Sequence, residues 1–143
     1  RAFGKEQPKY LTVKIDSDKQ KVYGLDRVNL QQHIHIVEGP IDSLFLDNSL
    51  AVAGTGFGKI ESLNLPKEHV TIVFDNQSRN TEVCKLVEKY IKLDYNVVIW
   101  PCNIQEKDIN DMVKNNINVK QLIQDHTYQG LMAQLKFTEW RNC

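Results

Sequence analysis

The stretch Val37-Glu-Gly-Pro-Ile-Asp42 decides the fold expected for this chain. The apolar residues Ile34 and Ile36 precede it, so a buried strand ends here in a carboxylate and a glycine. Glycine has no Cβ, which permits a tight exit from the strand and the close approach of a phosphate or a metal. Because ligands of open α/β sheets bind at the carboxyl ends of the strands, this stretch predicts one side of a binding site.

Two further acidic segments follow apolar runs of the same kind. Asp75 comes directly after Val70-Thr-Ile-Val-Phe74, and Lys107-Asp-Ile-Asn-Asp111 comes after Asn96-Val-Val-Ile-Trp100. Parallel strands that end in carboxylates place negative charge along one edge of a sheet, and hard cations take oxygen ligands. The sequence therefore predicts a site for Mg²⁺ or Mn²⁺ at that edge.

The middle of the chain alternates strand-like and helix-like patterns. The strand-like runs are 33–37, 50–53, 70–74 and 96–100, and the helix-like runs are about 41–48, 58–63, 79–94 and 107–116. This alternation predicts an α/β fold, with a central, mainly parallel four-stranded sheet flanked by helices and connected by right-handed crossovers.

The two ends are expected to add to this central domain, which spans residues 30–116. Residues 1–29 predict an extension with a β-hairpin, because two short strand-like runs flank a polar turn. Residues 117–143 predict a helical tail, with helices at about 119–125 and 128–138.

In the last helix of the tail, three apolar residues together with Lys136 are expected to form an apolar face. The three are Leu131, Met132 and Leu135. This face is interpreted as packing on the core or docking against a neighbouring domain.

Composition bounds the class of protein. The 143 residues, 41% hydrophobic and 25% charged, are ordinary for one globular domain, and no apolar run approaches the about 18 residues of a membrane span. A net charge of +0 is unexpected for a protein that grips nucleic acid alone, because phosphate binding draws on clustered Lys and Arg. If the protein acts on nucleic acid, we therefore expect other domains to supply most of that affinity. The start at Arg1 rather than Met is interpreted as that of a domain from a longer protein.

The cysteines predict neither zinc nor a disulfide framework. Cys84, Cys102 and Cys143 lie far apart and form no C-x-x-C pair, which argues against a zinc site. An odd, scattered count is typical of reduced thiols in an intracellular protein.

Taken in order, Glu-Gly, a strand-end Asp and Lys-Asp-x-Asn-Asp resemble the Toprim domain of primases and of type IA and II topoisomerases. The segment 107–111 is similar to the motif of the primase branch. The tail segments Gly130-Leu-Met-Ala133 and Phe137-Thr-Glu-Trp140 are similar to the end of the primases of T-even-like bacteriophages.

This resemblance implies the catalytic part of a phage DnaG-type DNA primase. Such enzymes make short RNA primers on a single-stranded DNA template from ribonucleoside triphosphates, with a replicative helicase as partner, in the host cytoplasm. The family normally carries a zinc-binding domain and a basic subdomain upstream. The isolated chain is therefore expected to bind metal, yet to prime poorly or not at all.

The resemblance also assigns roles to individual residues. It implies catalysis by Glu38, Asp75 and Asp108, and metal binding by the same three residues together with Asp111. Contact with nucleotide or phosphate is expected of Gly39, Lys59, Arg79 and Lys107. For two of them an alternative stays open: a plain turn over 54–59 for Lys59, and a solvated helix start for Arg79. One departure is Gln77, which stands where the family usually has a second Asp and offers only a neutral oxygen.

Several alternatives stay open on the sequence. Asp42 is expected to cap a helix or to join the site, and Asp75 to bind metal or to cap the 79–94 helix. Either Asp108 or Asp111 is expected to cap while the other reaches the metal. The alternative functions are a Toprim-type nuclease and a non-catalytic scaffold that docks a helicase. A topoisomerase would need a catalytic tyrosine, which would lie in another domain.

Overall fold

The structure, a computed structural model, describes residues 21–52 and 54–143. Within these ranges the side chains of residues 54–56, 58 and 59 are not described. The first arm of the expected hairpin, residues 10–15, therefore lies outside the described residues, and so does the side chain of Lys59.

The described part of the chain forms one six-stranded sheet. Its strands are β1 (Val22–Tyr23), β2 (Ile34–Val37), β3 (Ser49–Val52), β4 (Val70–Val73), β5 (Asn96–Val98) and β6 (Thr127–Tyr128). The order across the sheet is β1-β3-β2-β4-β5-β6. The four central strands are parallel, whereas β1 and β6 pair antiparallel at the two edges. The predicted α/β fold with a parallel four-stranded centre is confirmed, and two short edge strands extend it.

Five α-helices and two 3₁₀ segments connect the described strands. The helices are α1 (Pro40–Ser43), α2 (Thr81–Lys92), α3 (Ile109–Lys114), α4 (Val119–Asp125) and α5 (Gly130–Trp140), and the 3₁₀ segments are Gly54–Leu63 and Lys67–His69.

Three of the expected helices differ from the observed ones in length or type. Asn80 begins α2, because its side chain accepts hydrogen bonds from the backbone N–H groups of Glu82 and Val83. The helix expected over 41–48 ends at Ser43, whose carbonyl accepts a hydrogen bond from Ser49 Oγ at 2.6 Å. The run expected as an ordinary helix over 58–63 belongs to a 3₁₀ helix.

The core lies on both faces of the parallel strands. Every residue of β3 and β4 is buried, as expected for strands that helices cover on both sides. Tyr90 of α2 is 0% exposed, and its hydroxyl accepts from Ile60 N and donates to Glu61. The 3₁₀ segment after β3 is thereby attached to α2.

The buried face of α5 is formed by residues other than the three singled out in the sequence. Ala133, Phe137 and Trp140 are buried, whereas Leu131 is 72% exposed and Met132 51% exposed. Leu135 is also 51% exposed, so these three residues do not pack on the core, and docking against a neighbouring domain stays a prediction. Residues spaced four and three apart share a helix face, and α5 packs against α2 and β6.

Strand β6 is itself a departure from the expected helical tail. Tyr128 stands opposite Val97 of β5, and the carbonyl of His126 accepts a hydrogen bond from Ile99 N at 3.0 Å. Pairing with the exposed edge of β5 therefore interrupts the helical pattern between α4 and α5.

Two of the cysteines form a disulfide, which corrects the expectation of reduced thiols. Cys102 follows β5 and Cys143 follows α5, and their Cα atoms lie 5.4 Å apart, within the range that a disulfide requires. Cys84 is free and buried. The fold thereby brings together two cysteines that are 41 residues apart. No helix of the described residues is long and apolar enough to cross a membrane.

Candidate functional site

Glu38 and Asp75 lie at neighbouring strand ends. Val37 of β2 pairs with Val73 of β4, so the chain leaves both strands at the same edge of the sheet. Burial raises the pKa of Glu38, and the negative charge of Asp75 raises it further. The two carboxyl groups are therefore close enough for the charge of one to affect the pKa of the other, as expected from their positions after neighbouring strands.

Asp75 is mostly buried and is contacted by two donors. Its side chain is 16% exposed, and Oδ2 lies 3.3 Å from Lys107 Nζ and 3.0 Å from Gln77 Nε2. Burial raises the pKa of Asp75, although Lys107 and Gln77 oppose the shift. The capping alternative for Asp75 is wrong, since Asn80 caps α2. Gln77 stands where the family usually has a second Asp, and its side-chain amide donates a hydrogen bond to Asp75.

Asn76 connects this strand end to the loop that carries Lys107. Its backbone N–H donates to the carbonyl of Lys107 at 2.7 Å, and its side-chain Nδ2 donates to the carbonyls of Ile104 and Glu106. Its Oδ1 accepts a hydrogen bond from Trp140 Nε1 at 2.8 Å. Sequence reasoning missed this residue. An Asn directly after a strand-end Asp was the available signal, but its partners are distant in sequence.

The two acidic residues of the segment 107–111 have different partners. Asp108 is the N-cap of α3, and its Oδ1 accepts from the backbone N–H of Asp111 at 2.8 Å. The carboxylate of Asp111 pairs with Lys114 at 2.8 Å on the helix surface. Asp108 is therefore the capping residue of the pair. It also adds negative charge near Asp75, which helps to raise the pKa of that carboxyl.

Asp42 connects the first helix to α3. It does not cap α1, because Gly39 is the N-cap and no side chain caps that helix. Its Oδ1 instead accepts from the backbone N–H of Asn110 at 2.9 Å. Burial raises the pKa of Asp42 to about 6, with Asp108 contributing in the same direction.

Two residues expected to contact nucleotide or phosphate, Gly39 and Arg79, lie near other groups of the protein. A Cβ at Gly39 would collide with Asp42 Oδ2, so a larger residue here would displace the carboxylate that bonds to α3. Arg79 Nη2 donates to the carbonyl of Cys143 at 3.1 Å, which directs this guanidinium to the end of α5.

The acidic side chains at this edge of the sheet offer the oxygen ligands that a divalent cation prefers. Within the described ranges, no three His, Cys, Asp or Glu side chains are gathered closely enough to hold a metal ion. However, the oxygen donors Glu38, Asp75 and Asp108 suit Mg²⁺ or Mn²⁺ better than zinc, and the ammonium of Lys107 already places a cation against Asp75. A metal ion would need these side chains to turn towards one another.

The fold and site define an α/β protein with half-buried carboxylates at the carboxyl edge of a parallel sheet. No protein-family model matches the chain. The chain is related in sequence to the protein described as the DNA primase of Enterobacteria phage T4, with 30% identity over 147 aligned residues. The alignment covers 98% of this chain and 42% of the T4 protein.

Proposed function

We propose that this chain is the catalytic Toprim part of a DNA primase, which makes short RNA primers on single-stranded DNA during phage replication. The observation that carries the proposal is the position of Glu38 and Asp75 at adjacent ends of parallel strands. Its support is the sequence relationship to the T4 DNA primase. The chain spans 42% of that relative, so primer synthesis is proposed for the longer protein.

Glu38, Asp75 and Asp108 are the proposed ligands of Mg²⁺ or Mn²⁺, with Asp111 able to join after release from Lys114. When bound, such a cation neutralises the charge of the triphosphate and activates the 3′-hydroxyl of the primer. Glu38 is suited to hold or move a proton, because burial and the negative charge of Asp75 raise its pKa. Positioning and charge stabilisation would provide most of the rate.

Ribonucleoside triphosphates, a single-stranded DNA template and a replicative helicase are the proposed partners. Lys107 is the cation best placed for a phosphate, since it borders Asp75 and its side chain is 58% exposed. The net charge of +0 supports the view that other parts of the longer protein supply most of the template affinity. The proposed place of action is the cytoplasm of the host cell.

The test is primer synthesis by the longer protein with Glu38→Gln. We expect this variant to lose primer synthesis on single-stranded DNA with Mg²⁺ and ribonucleotides. Glu82→Gln is the matched control, because Glu82 lies on the surface of α2 and pairs only with Lys85 among described partners. Full dinucleotide synthesis by Glu38→Gln would contradict the assigned role. Metal-dependent cleavage of DNA without nucleotides would indicate the nuclease alternative instead.

A non-catalytic docking role is the second candidate. It is favoured by the exposed Leu131, Met132 and Leu135 on α5 and by Gln77 in place of a carboxylate. Tight binding to the replicative helicase by a chain that binds no Mn²⁺ would support this role over catalysis.

A further inference from the structure

A row of polar side chains crosses three of the parallel strands at one level. His35 of β2 pairs with Thr71 of β4, and Thr71 pairs with Asn96 of β5, so the three side chains lie side by side on one face of the sheet. The other residues of these three strands are apolar, as is normal for strands that helices cover on both faces. Core packing therefore does not explain why polar residues stand at the same level of three neighbouring strands.

The polar row borders a cavity of about 410 Å³. His33, two residues before His35, also lines this cavity, and so do Lys120 and Gln124 of α4. Cavities of this size hold small molecules, which a few convergent polar groups orient. The cavity lies where the parallel strands begin, about 10 Å along β2 from Glu38. This amino-edge cavity is therefore separate from the carboxylates of the proposed function.

The side chains of the amino-edge cavity offer both donors and acceptors to a ligand. His35 Nδ1 donates to the carbonyl of Asp47 at 3.3 Å, so Nε2 of the neutral ring is an acceptor. Asn96 Nδ2 donates to the carbonyl of Val70 at 3.2 Å, which leaves its second N–H as a donor and its Oδ1 as an acceptor. Gln124 is exposed on α4 and supplies a further amide.

The charges around the cavity favour a heterocyclic base over a phosphate. Burial lowers the pKa of both His33 and His35, so the two imidazoles are uncharged at neutral pH. The ammonium of Lys120 is paired with the carboxylate of Asp47 at 2.7 Å. Uncharged rings and amides recognise a base, because the base stacks on a ring and its edge forms hydrogen bonds. An Asn or Gln amide can pair with both N6 and N7 of adenine.

We propose that the amino-edge cavity binds a nucleobase, with adenine as the preferred base. His33 stacks on the base, and the amides of Asn96 and Gln124 form hydrogen bonds with its edge. The base of a free nucleotide and that of single-stranded nucleic acid share this chemistry. The inference goes beyond the proposed function, because it adds a second site that needs neither a metal ion nor the carboxylates.

The test is titration of the isotope-labelled chain with AMP in a buffer without divalent cations, followed by the backbone amide signals in ¹H–¹⁵N NMR spectra. We expect the signals of His35, Thr71 and Asn96 to shift. Ribose 5-phosphate, which lacks the base, should leave them unchanged. An oligodeoxyadenylate is the second ligand. If it binds more tightly than AMP, the source of the base is single-stranded nucleic acid, and otherwise the source is a free nucleotide.

Two substitutions remove proposed contacts from the cavity. His33→Ala removes the stacking ring, and Gln124→Ala removes an amide from an exposed position of α4. We expect each variant to bind AMP about three- to tenfold more weakly. Gln121→Ala is the matched control, because Gln121 is also exposed on α4 but donates to Asp125 instead of lining the cavity. It should bind AMP as the unsubstituted chain does, and the dispersion of the amide signals would verify that each variant is folded.

The outcomes separate this inference from the proposed function. Equal shifts with AMP and with ribose 5-phosphate would overturn recognition of the base, and so would unchanged signals with both AMP and the oligodeoxyadenylate. Shifts confined to Asp75 and Lys107 would overturn the amino-edge site while supporting nucleotide binding at the carboxylates. Equal effects of Gln121→Ala and Gln124→Ala would contradict the contact assigned to Gln124.

Discussion

Asp42 Oδ1 accepts a hydrogen bond from the backbone N–H of Asn110 at 2.9 Å, across 68 positions of sequence. This bond attaches the first turn after β2 to the first turn of α3. Since Asn76 attaches the preceding loop to the end of β4, the three acidic segments are held together by hydrogen bonds that involve Asp42 and Asn76. The predictions below test these connections.

Asp42→Asn is expected to stabilise the chain at neutral pH. The amide oxygen can still accept from Asn110, and a buried negative charge is removed. The pKa of Asp42 is raised from 3.8 to about 6, so the folded chain binds this proton more tightly than the unfolded chain does. The free energy of unfolding therefore falls as pH rises through the interval from about 4 to about 6.

We expect Asp42→Asn to gain about 1 kcal/mol at pH 7, allowing for solvent screening, and almost nothing at pH 3.5. Urea denaturation at both pH values would measure the difference. Asp47→Asn is the control, because Asp47 is 85% exposed and pairs on the surface with Lys120. A loss of stability at pH 7 would show that the charge of Asp42 is favourable in the folded chain.

Asn76→Ala is expected to destabilise the chain by about 2–4 kcal/mol. The change removes two donors to backbone carbonyls and leaves the indole N–H of the buried Trp140 without its acceptor. The midpoint of urea denaturation would report the loss. Asn142→Ala removes one exposed side-chain hydrogen bond to Thr138 and should cost less than about 0.5 kcal/mol. Equal effects of the two substitutions would exclude a special role for Asn76.

Gln77→Asp is expected to make the stability of the chain depend more strongly on Mn²⁺. A carboxylate at this position would repel Asp75, which now accepts the amide of Gln77 at 3.0 Å. The variant should unfold at a lower temperature than the original chain without metal and show a larger rise in Tm when MnCl₂ is added. Gln77→Asn is the control, because Asn has the size of Asp but no charge. Identical responses of both variants to MnCl₂ would contradict a metal near Asp75.

Reduction of the Cys102–Cys143 disulfide is expected to destabilise the chain. The bond closes a loop between residues 41 positions apart, and such closures contribute about 2–4 kcal/mol by constraining the unfolded chain. Dithiothreitol should lower the urea midpoint of the original chain to that of Cys143→Ser and leave the variant unchanged. A midpoint that does not respond to dithiothreitol would show that the bond is absent in solution or contributes nothing.

Much of the fold could be predicted because parallel strands have a local signature. Strands covered on both faces need continuous apolar runs, and the runs that end before Glu38 and Asp75 are of this kind. Alternation with helices then requires these strands to be parallel and their carboxyl ends to share one edge. The neighbouring positions of the two carboxylates followed from this reasoning without any knowledge of their contacts.

Other features depended on partners that no local pattern reveals. Asp42 and Asp108 both begin helices as acidic residues, yet one bonds to a different helix and the other caps its own. Which face of α5 packs on the core was not decided by the sequence, because Leu131 and Phe137 are both large and apolar, and only Phe137 is buried where α5 packs against α2.

The sequence by itself thus determined the parallel sheet and the edge at which its carboxylates lie, because both follow from periodicity and chain order. Only the tertiary structure decided that Asp75 faces Lys107 and Gln77, that Asn76 anchors their loop, and that Cys102 meets Cys143. The physical reason is that a polar side chain or a thiol can be satisfied by many partners, and the chosen one depends on which segments packing brings within a few ångströms.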